Sequence, residues 1–157
     1  MRTGPESTDA PSSPTTADGL IDLDSPAGEA ALAEARSEFD YAPGYGYTEP
    51  TSSTDRPCTT MPDRTACPPL RLTRDQYREI AAWDSACTWW RSLEDATAVG
   101  DDEGIRLANA QLDIAAEASP GGIEVGLEMV REGLDRDDLG PLRDVIAAHC
   151  SPFPPGR

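Results

Sequence analysis

Lysine is absent from this chain of 157 residues, so all 13 basic residues are arginine. They are outnumbered by 29 acidic residues, which gives a formal net charge of −16 at pH 7. Residues 1–70 hold 12 acids and 4 arginines, and residues 71–157 hold 17 and 9, so each part carries a charge of −8. No basic patch is present that could contact phosphates, so we expect no nucleic-acid binding. The charge is typical of a solvated surface, although an acidic nucleic-acid mimic that inhibits a basic partner is an alternative.

Long apolar runs are absent too. No segment approaches the roughly 20 residues of a membrane-spanning helix, so we expect no membrane span in this chain. The N-terminal stretch, residues 1–19, has no apolar core of the kind that a signal peptide requires. If the protein is exported, we expect its export signal or membrane anchor to lie upstream of Met1.

Catalytic signatures are scarce. The chain has one histidine, His149, and neither a Cys-x-x-Cys pair nor a glycine-rich phosphate loop. Nucleophilic catalysis would have to pair His149 with a cysteine and would also need an oxyanion site. A histidine near the C-terminal end of a helix more often interacts with the terminal carbonyl groups. We therefore expect no enzymatic activity and no cofactor, and a small enzyme that uses His149 is the alternative.

The first part of the chain is rich in proline, serine, threonine and glycine. Residues 1–20 contain almost nothing apolar and predict a disordered tail. Residues 21–50 predict an arm with one helix, which Ser25 caps and Pro26 begins. The apolar stripe of this helix is thin, so we expect the helix to dock on another part of the protein. Residues 51–70 then form a loop that contains prolines and cysteines.

Residues 71–151 predict a bundle of four amphipathic helices. In the first, Thr73 and Gln76 form a capping box, and Gly100 is placed to end the helix near Val99. A bundle of about 80 residues is close to the lower limit for a self-sufficient core, so we expect covalent cross-links. The predicted fold is therefore all-α: a small four-helix bundle stapled by disulfides, with a disordered N-terminal arm that carries one extra helix.

The remaining helices of the bundle have weaker boundary signals. Asp101 or Asp102 is placed to cap the second helix, and residues 119–122 (Ser-Pro-Gly-Gly) end it. The apolar stripe of residues 123–134 predicts the third helix, and Asp138 precedes the fourth. A short tail, residues 152–157, completes the chain.

The four cysteines allow three pairings into two disulfides. The turn-forming sequence between Cys58 and Cys67 favours a local bond between them, which leaves Cys87 to pair with Cys150. In the loop-entropy model, closing about 60 residues contributes about 4 kcal/mol, and closing about nine contributes about 2.6 kcal/mol. The total stability of a small domain is roughly 5–10 kcal/mol, so the long link is large enough to decide whether the bundle folds.

A zinc site is the alternative use of these sulfurs, with Cys58, Cys67, Cys87 and either His149 or Cys150 as ligands. Such sites usually take their ligands in close pairs, two to four residues apart. The spacing of Cys58 and Cys67 is wider than that, and neighbouring residues on a helix, such as His149 and Cys150, point about 100° apart. The pattern favours disulfides and no metal.

Aromatic residues supply candidate contact sites for a protein partner. Trp83 and Trp90 lie on the predicted buried stripe of the first bundle helix, so we expect them in the core. Trp89 lies off this stripe, so we expect it to be exposed. The aromatic residues of the arm lie near glycine and proline, where tyrosines either bind a partner or cover a neighbouring core. The candidate partner-binding residues are Phe39, Tyr41, Tyr45, Tyr47 and Trp89.

A recurring order of residues runs through the second half of the chain. Cys87 lies in a helix, Gly100-Asp101 marks a helix turn, Pro120 ends the next helix, and Cys150 closes the segment. With this pattern, the region of about residues 80–151 resembles small helical domains in uncharacterised exported proteins and lipoproteins of high-GC Gram-positive bacteria. The resemblance implies a disulfide and an extracytoplasmic setting, and it implies no known activity. The proline- and serine-rich start resembles a tether to a membrane anchor.

We therefore predict a non-enzymatic module at the cell surface or secreted, which binds another protein or protein complex. The cysteine placement and the tether-like start favour this function. The alternative is a cytosolic or virion-associated adaptor with reduced cysteines, with or without one structural zinc. That alternative is favoured by a chain that starts at Met1 without a signal peptide.

Overall fold

The computed structural model describes residues 19–45 and 70–150. Several sequence predictions therefore lie outside the described residues. These are the disordered tail up to residue 18, the loop of residues 51–69 and the tail of residues 152–157. Tyr47 and the Cys58–Cys67 bond also lie outside the described residues.

The described part of the chain is mostly helical, as the sequence predicts. In chain order its elements are β1 (Ile21–Asp22), α1 (Pro26–Arg36), β2 (Arg71–Leu72), α2 (Arg74–Val99), α3 (Asp102–Ala118), α4 (Ile123–Leu134) and α5 (Gly140–His149). The short strands were not predicted. They pair in an antiparallel manner, with Ile21 opposite Leu72 and Asp22 opposite Arg71. Two residues are too few to show the alternating pattern that identifies a strand in a sequence.

Local capping signals set most helix ends. The side chain of Ser25 accepts a hydrogen bond from the Gly28 amide and so caps α1. Both hydrogen bonds of the predicted capping box at Thr73 are present at the start of α2. Gly100 ends α2 in the left-handed conformation, with φ of 70°, which costs glycine little because it has no Cβ. Asp101 caps α3 by accepting from the amide of Gly104.

Two helix ends differ from the prediction. The last helix, α5, begins at Gly140 rather than directly after Asp138, whose Oδ1 accepts a hydrogen bond from the Gly140 amide at 2.8 Å. The first helix, α1, ends at Arg36, so Phe39 lies beyond its end. The amide of Phe39 still donates to the carbonyl of Arg36 at 3.2 Å, so backbone hydrogen bonding continues beyond the end of α1.

Helix α2 is buried around most of its circumference, because it contacts α1 on one side and α3 and α5 on the other. The sequence predicts one buried face, and Cys87 and Trp90 on that face are indeed buried. Ile80 and Trp83, at the N-terminal end of the same face, are only half-buried. A second buried face was missed, and it consists of Tyr77, Ala81, Ser85, Thr88 and Trp89.

This second face of α2 is covered by residues 19–45. The Tyr77 hydroxyl donates to the carbonyl of Ile21 at 3.0 Å, and the Ala42 amide donates to Oγ1 of Thr88 at 3.0 Å. Arg36 forms an ion pair with Asp84 at 3.2 Å. Residues 19–45 are therefore part of the core, and the expectation of a loose arm is wrong for them. The expectation that α1 docks is confirmed, and its buried residues are Gly28, Ala31, Leu32 and Ala35.

The predicted bond between Cys87 and Cys150 is present, with an S–S distance of 2.08 Å. It joins the middle of α2 to the residue that follows α5. Both cysteines are buried. The bond closes a loop of 63 residues that contains α3, α4 and α5.

We expect the double substitution Cys87→Ala/Cys150→Ala to lower the free energy of unfolding by about 4 kcal/mol, because the unfolded chain regains the entropy of the open loop. Urea unfolding followed by far-ultraviolet circular dichroism would measure the change. The matched control is Cys58→Ser/Cys67→Ser, for which the shorter loop predicts a smaller loss of about 2.6 kcal/mol or less. A loss of under about 1 kcal/mol for the first variant would contradict the role given to this bond.

Candidate binding groove

An apolar groove of about 350 Å³ lies between α4 and α5, and we call it the α4–α5 groove. One wall comes from α4 and the other from α5, while Trp83 of α2 lies at one end. The turn between α3 and α4 adds Gly121 and Gly122 at that end. The lining of the groove includes Trp83, Val125, Met129, Pro141, Asp144 and His149.

The α4 wall presents two apolar side chains to solvent. Val125 is 48% exposed and Met129 is 54% exposed. They are four residues apart on one helix, so they lie one above the other along the groove. The opposite side of α4 buries the predicted stripe of Ile123, Leu127 and Val130 in the core. Helix α4 therefore has apolar residues on two faces, of which only one is used in folding.

Two glycines shape the groove. A Cβ at Gly122 would lie 2.8 Å from Cζ2 of Trp83 and 2.8 Å from Oγ of Ser119, so a side chain there would push the turn away from α2. A Cβ at Gly126 would meet Trp90 and Val145 only at an ordinary contact distance of 3.7 Å. Gly126 therefore leaves space unfilled between α4 and α5, where a larger residue would occupy the groove.

Aromatic rings form one end of the groove. The ring centroid of His149 lies 4.9 Å from that of Trp83, with the planes tilted by 42°. Trp83 in turn lies 5.8 Å from Trp90, which is fully buried. His149 is exposed on its other side. The histidine thus packs on a tryptophan, a contact that the sequence did not predict for it.

A partly buried hydrogen bond anchors this end of the groove. Ser119, which is 1% exposed, donates through its hydroxyl to Oε2 of Glu79 at 2.7 Å. Glu79 lies one turn before Trp83 on α2, so the bond holds the α3–α4 turn beside the tryptophan. The Cys87–Cys150 bond fixes the end of α5 at the same place. The position of the groove walls is therefore set by one covalent link and one charge-assisted hydrogen bond.

Few of the groove's lining residues are ionisable. Among its lining residues, Asp144 is the one carboxylate and His149 the one imidazole. Apolar walls with a few polar groups at the edge are typical of sites that recognise a side chain or peptide. In the described ranges, no group of three or more His, Cys, Asp or Glu residues is arranged to hold a metal. Cys87 and Cys150 are bonded to each other, so neither sulfur is a thiolate available to zinc.

A second cleft, of about 400 Å³, lies between α3 and α4 and differs in charge. Its lining includes four carboxylates, from Asp113, Glu117, Glu124 and Glu128. Arg131 also lines it and forms an ion pair with Asp113 at 2.9 Å. This cleft can attract a cationic partner, and it offers less apolar surface than the α4–α5 groove.

Four of the predicted partner-binding residues, Phe39, Tyr41, Tyr45 and Trp89, lie where residues 19–45 meet α2, and Tyr47 lies outside the described residues. Phe39 is 7% exposed, and the guanidinium of Arg78 lies 5.7 Å from its ring centroid. Tyr41 donates through its hydroxyl to the Ala81 carbonyl at 3.3 Å, and Tyr45 donates to the carboxylate of Asp95. Phe39 belongs to the core, and Tyr41 and Tyr45 pack against it, which is the second of the two roles considered for the tyrosines.

The expectation of an exposed Trp89 is wrong. Its side chain is 4% exposed, and Nε1 donates to the carbonyl of Asp40 at 2.9 Å. Ser85, one turn earlier on α2, donates to the same carbonyl at 2.6 Å. Trp89 lies off the predicted stripe, as expected, but residues 39–42 form a second layer over that side of the helix.

Most residues of the groove were not predicted from the sequence to form a site, because the sequence pattern shows only the core-facing stripe. It placed Trp83 in the core and gave no role to Val125, Met129 or Asp144. One signal was available, because Val125 and Met129 are large apolar residues outside the α4 stripe at a spacing of four. That pattern indicates a second apolar face on the helix.

No family model matches the chain, and comparison with curated proteins and with solved structures gave no significant match. Within residues 19–45 and 70–150, no helix combines the length and the apolar character needed to cross a bilayer.

We expect the protein to lose stability between about pH 10 and pH 12 in part through Tyr45. Burial, together with the hydrogen bond to Asp95, raises the pKa of Tyr45 to about 12. In the unfolded chain the tyrosine releases its proton near its ordinary pKa of 10, so the folded state binds more protons in this window and stability falls as pH rises.

Urea unfolding of the wild type and of Tyr45→Phe at about pH 9 and about pH 11.5 tests this. The variant has no proton to release at this position, so its loss of stability between the two pH values should be smaller. Burial also raises the pKa of Tyr77, so some loss remains in the variant. If the two proteins lost the same amount of stability between these pH values, the pKa of Tyr45 would not be raised in the folded state.

Proposed function

We propose that this protein is a non-enzymatic, extracytoplasmic interaction module that binds a segment of another protein in the α4–α5 groove. The observation that carries the proposal is the exposure of Val125 and Met129 beside an apolar groove that the fold leaves unfilled. Scattered apolar residues are common on protein surfaces. Here two of them border one concave site whose walls are anchored, and that arrangement is typical of binding sites.

The groove has the features of a small contact centre. Trp83 supplies an amphipathic ring of the kind that is enriched among residues dominating binding energy. Asp144 places one negative charge in the lining, which favours a partner segment that carries a basic residue. The volume of about 350 Å³ is near the lower limit for ligand sites, so it suits one or two side chains of a peptide.

The extracytoplasmic setting is supported by the Cys87–Cys150 bond, because structural disulfides form and persist mainly in oxidising compartments. The resemblance to exported helical domains of high-GC Gram-positive bacteria is part of the same proposal. We also propose the finer description of the fold. In it, α2 to α5 form one four-helix bundle that is closed by two disulfides, of which Cys58–Cys67 is the second.

A second candidate function is supported by the acidic cleft between α3 and α4. Four carboxylates in one cleft, on a chain of net charge −16, suit an inhibitor that binds a basic partner. The two functions differ in their response to salt. Binding through the acidic cleft weakens strongly as ionic strength rises, whereas binding through the apolar groove changes little.

The first test of the groove uses photo-crosslinking in the cell envelope fraction of the source cells. A benzophenone amino acid at position 129, in the groove, should capture one protein through one peptide. The same group at position 107, on the outer face of α3, is the control, because Leu107 is 47% exposed and lies outside the groove. Equal capture of that protein from both positions would contradict binding in the groove.

The captured protein then allows a quantitative test. We expect Val125→Ser/Met129→Ser to weaken its binding by about 30–900-fold, because truncating a central apolar contact costs about 1–2 kcal/mol at each of the two positions. The matched control is Leu107→Ser/Ile114→Ser, since these residues are 47% and 45% exposed on α3. Calorimetric titration at two salt concentrations measures both the affinity and its salt dependence. Unchanged affinity in the groove variant, with strong salt dependence, would support the acidic cleft instead.

The compartment has its own test. Protein isolated from its source cells without reductant, then unfolded and treated with iodoacetamide, should carry no modification at Cys87 or Cys150. Peptide mapping by mass spectrometry measures this directly, and a sample reduced beforehand is the control. Modification of both cysteines without reduction would favour the cytosolic adaptor and would remove the main support for export.

A further inference from the structure

The chain leaves the described structure at one end of the α4–α5 groove. His149, the last residue of α5, lines the groove and packs on Trp83. Cys150 is held by its bond to Cys87. Residue 151 therefore starts from a fixed point beside the aromatic end of the groove.

The seven residues that follow are Ser-Pro-Phe-Pro-Pro-Gly-Arg. They include one phenylalanine, three prolines and one arginine. None of the chain's 29 acidic residues lies among them. Proline-rich segments bind grooves lined by aromatic side chains, because the proline rings pack on the flat rings and lose little conformational entropy. The groove presents Trp83 and His149 for this contact and apolar walls for Phe153.

The reach of this segment matches the length of the groove. Helix α5 has ten residues, which span about 15 Å at a rise of 1.5 Å per residue. Seven residues in an extended, proline-rich conformation span about 22 Å. A segment that turns back after Cys150 can therefore pass along α5 from His149 to Pro141.

Covalent attachment makes even a weak contact significant. A short tether gives an effective concentration on the order of 1 mM, so a contact with a dissociation constant of about 1 mM in separate molecules is about half occupied within one chain. A second copy of the protein at micromolar concentration has no such advantage. This comparison favours the chain's own segment over a second copy as the occupant.

We propose that residues 151–157 bind in the α4–α5 groove of their own chain and compete there with the partner. The segment is then a built-in inhibitor, with Phe153 and the prolines on the apolar surface. The competition rests on the proposed function, whereas occupancy of the groove by the segment does not.

The test compares the full chain with a chain that ends at Ser151. Methyl resonances of Val125 and Met129 should shift on truncation, whereas those of Leu107 and Ile114, outside the groove, should not. Phe153→Ala in the full chain should produce the same shifts in part, which removes the concern that truncation disturbs the fold. Identical Val125 and Met129 resonances in all three proteins would overturn the proposal.

A synthetic peptide of residues 151–157, added to the truncated chain, should reverse the shifts with a dissociation constant of about 1 mM. A peptide in which alanine replaces Phe153 is the control and should bind at least several-fold more weakly. Shifts that depend on protein concentration in the full chain would indicate a second copy in the groove and would overturn occupancy in cis.

The two proposals fail separately. If truncation leaves the groove resonances unchanged but position 129 still captures a partner, the segment is not the occupant and the interaction module stands. If truncation shifts them and no partner is captured, the segment occupies the groove and the interaction module fails. If both hold, we expect truncation to raise partner affinity about two-fold or more, as half-occupancy requires.

Discussion

The burial of α2 on both of its sides is the constraint on which the rest of the structure depends. Tyr77 and Trp90 lie on different faces of this 26-residue helix, and each is 0% exposed. Burying a large side chain contributes about 1.5–3 kcal/mol, so neither face can be left in water without a cost comparable to much of the stability of a small domain. One layer of helices covers one face, and the other must be covered from elsewhere in the chain. Residues 19–45 supply that second layer.

The groove follows from how the remaining helices meet α2. Helix α5 has only ten residues, and its end is held by Cys150, while the α3–α4 turn is held through Ser119. These two attachments set the separation of α4 and α5 near Trp83. Gly126 adds no side chain between them, so the space stays open and Met129 remains exposed. The groove is therefore a direct result of the same contacts that stabilise the fold.

The candidate site was less predictable from the sequence than the helices were. A groove depends on two surfaces that face each other, here Val125 on α4 and Asp144 on α5, and no local pattern reports which surfaces meet. The aromatic candidates were conspicuous in the sequence, yet Phe39 of the arm and Trp89 of α2 are buried. An aromatic residue has the same sequence signal whether it covers the core of its own chain or that of a partner.

The sequence by itself determined the features that arise from interactions within a few residues. The caps at Ser25, Thr73 and Asp101 and the stop at Gly100 depend on hydrogen bonds and backbone angles inside one turn, so the local residues specify them. The even cysteine count and the turn-forming sequence between Cys58 and Cys67 also indicated the Cys87–Cys150 link, which the structure contains. Only the tertiary structure decided which second face of α2 is buried, that β1 pairs with β2, and where apolar surface is left over. Each of these depends on contacts between segments far apart in the chain, and the energy of such a contact is set by the partner surface, which local sequence does not contain.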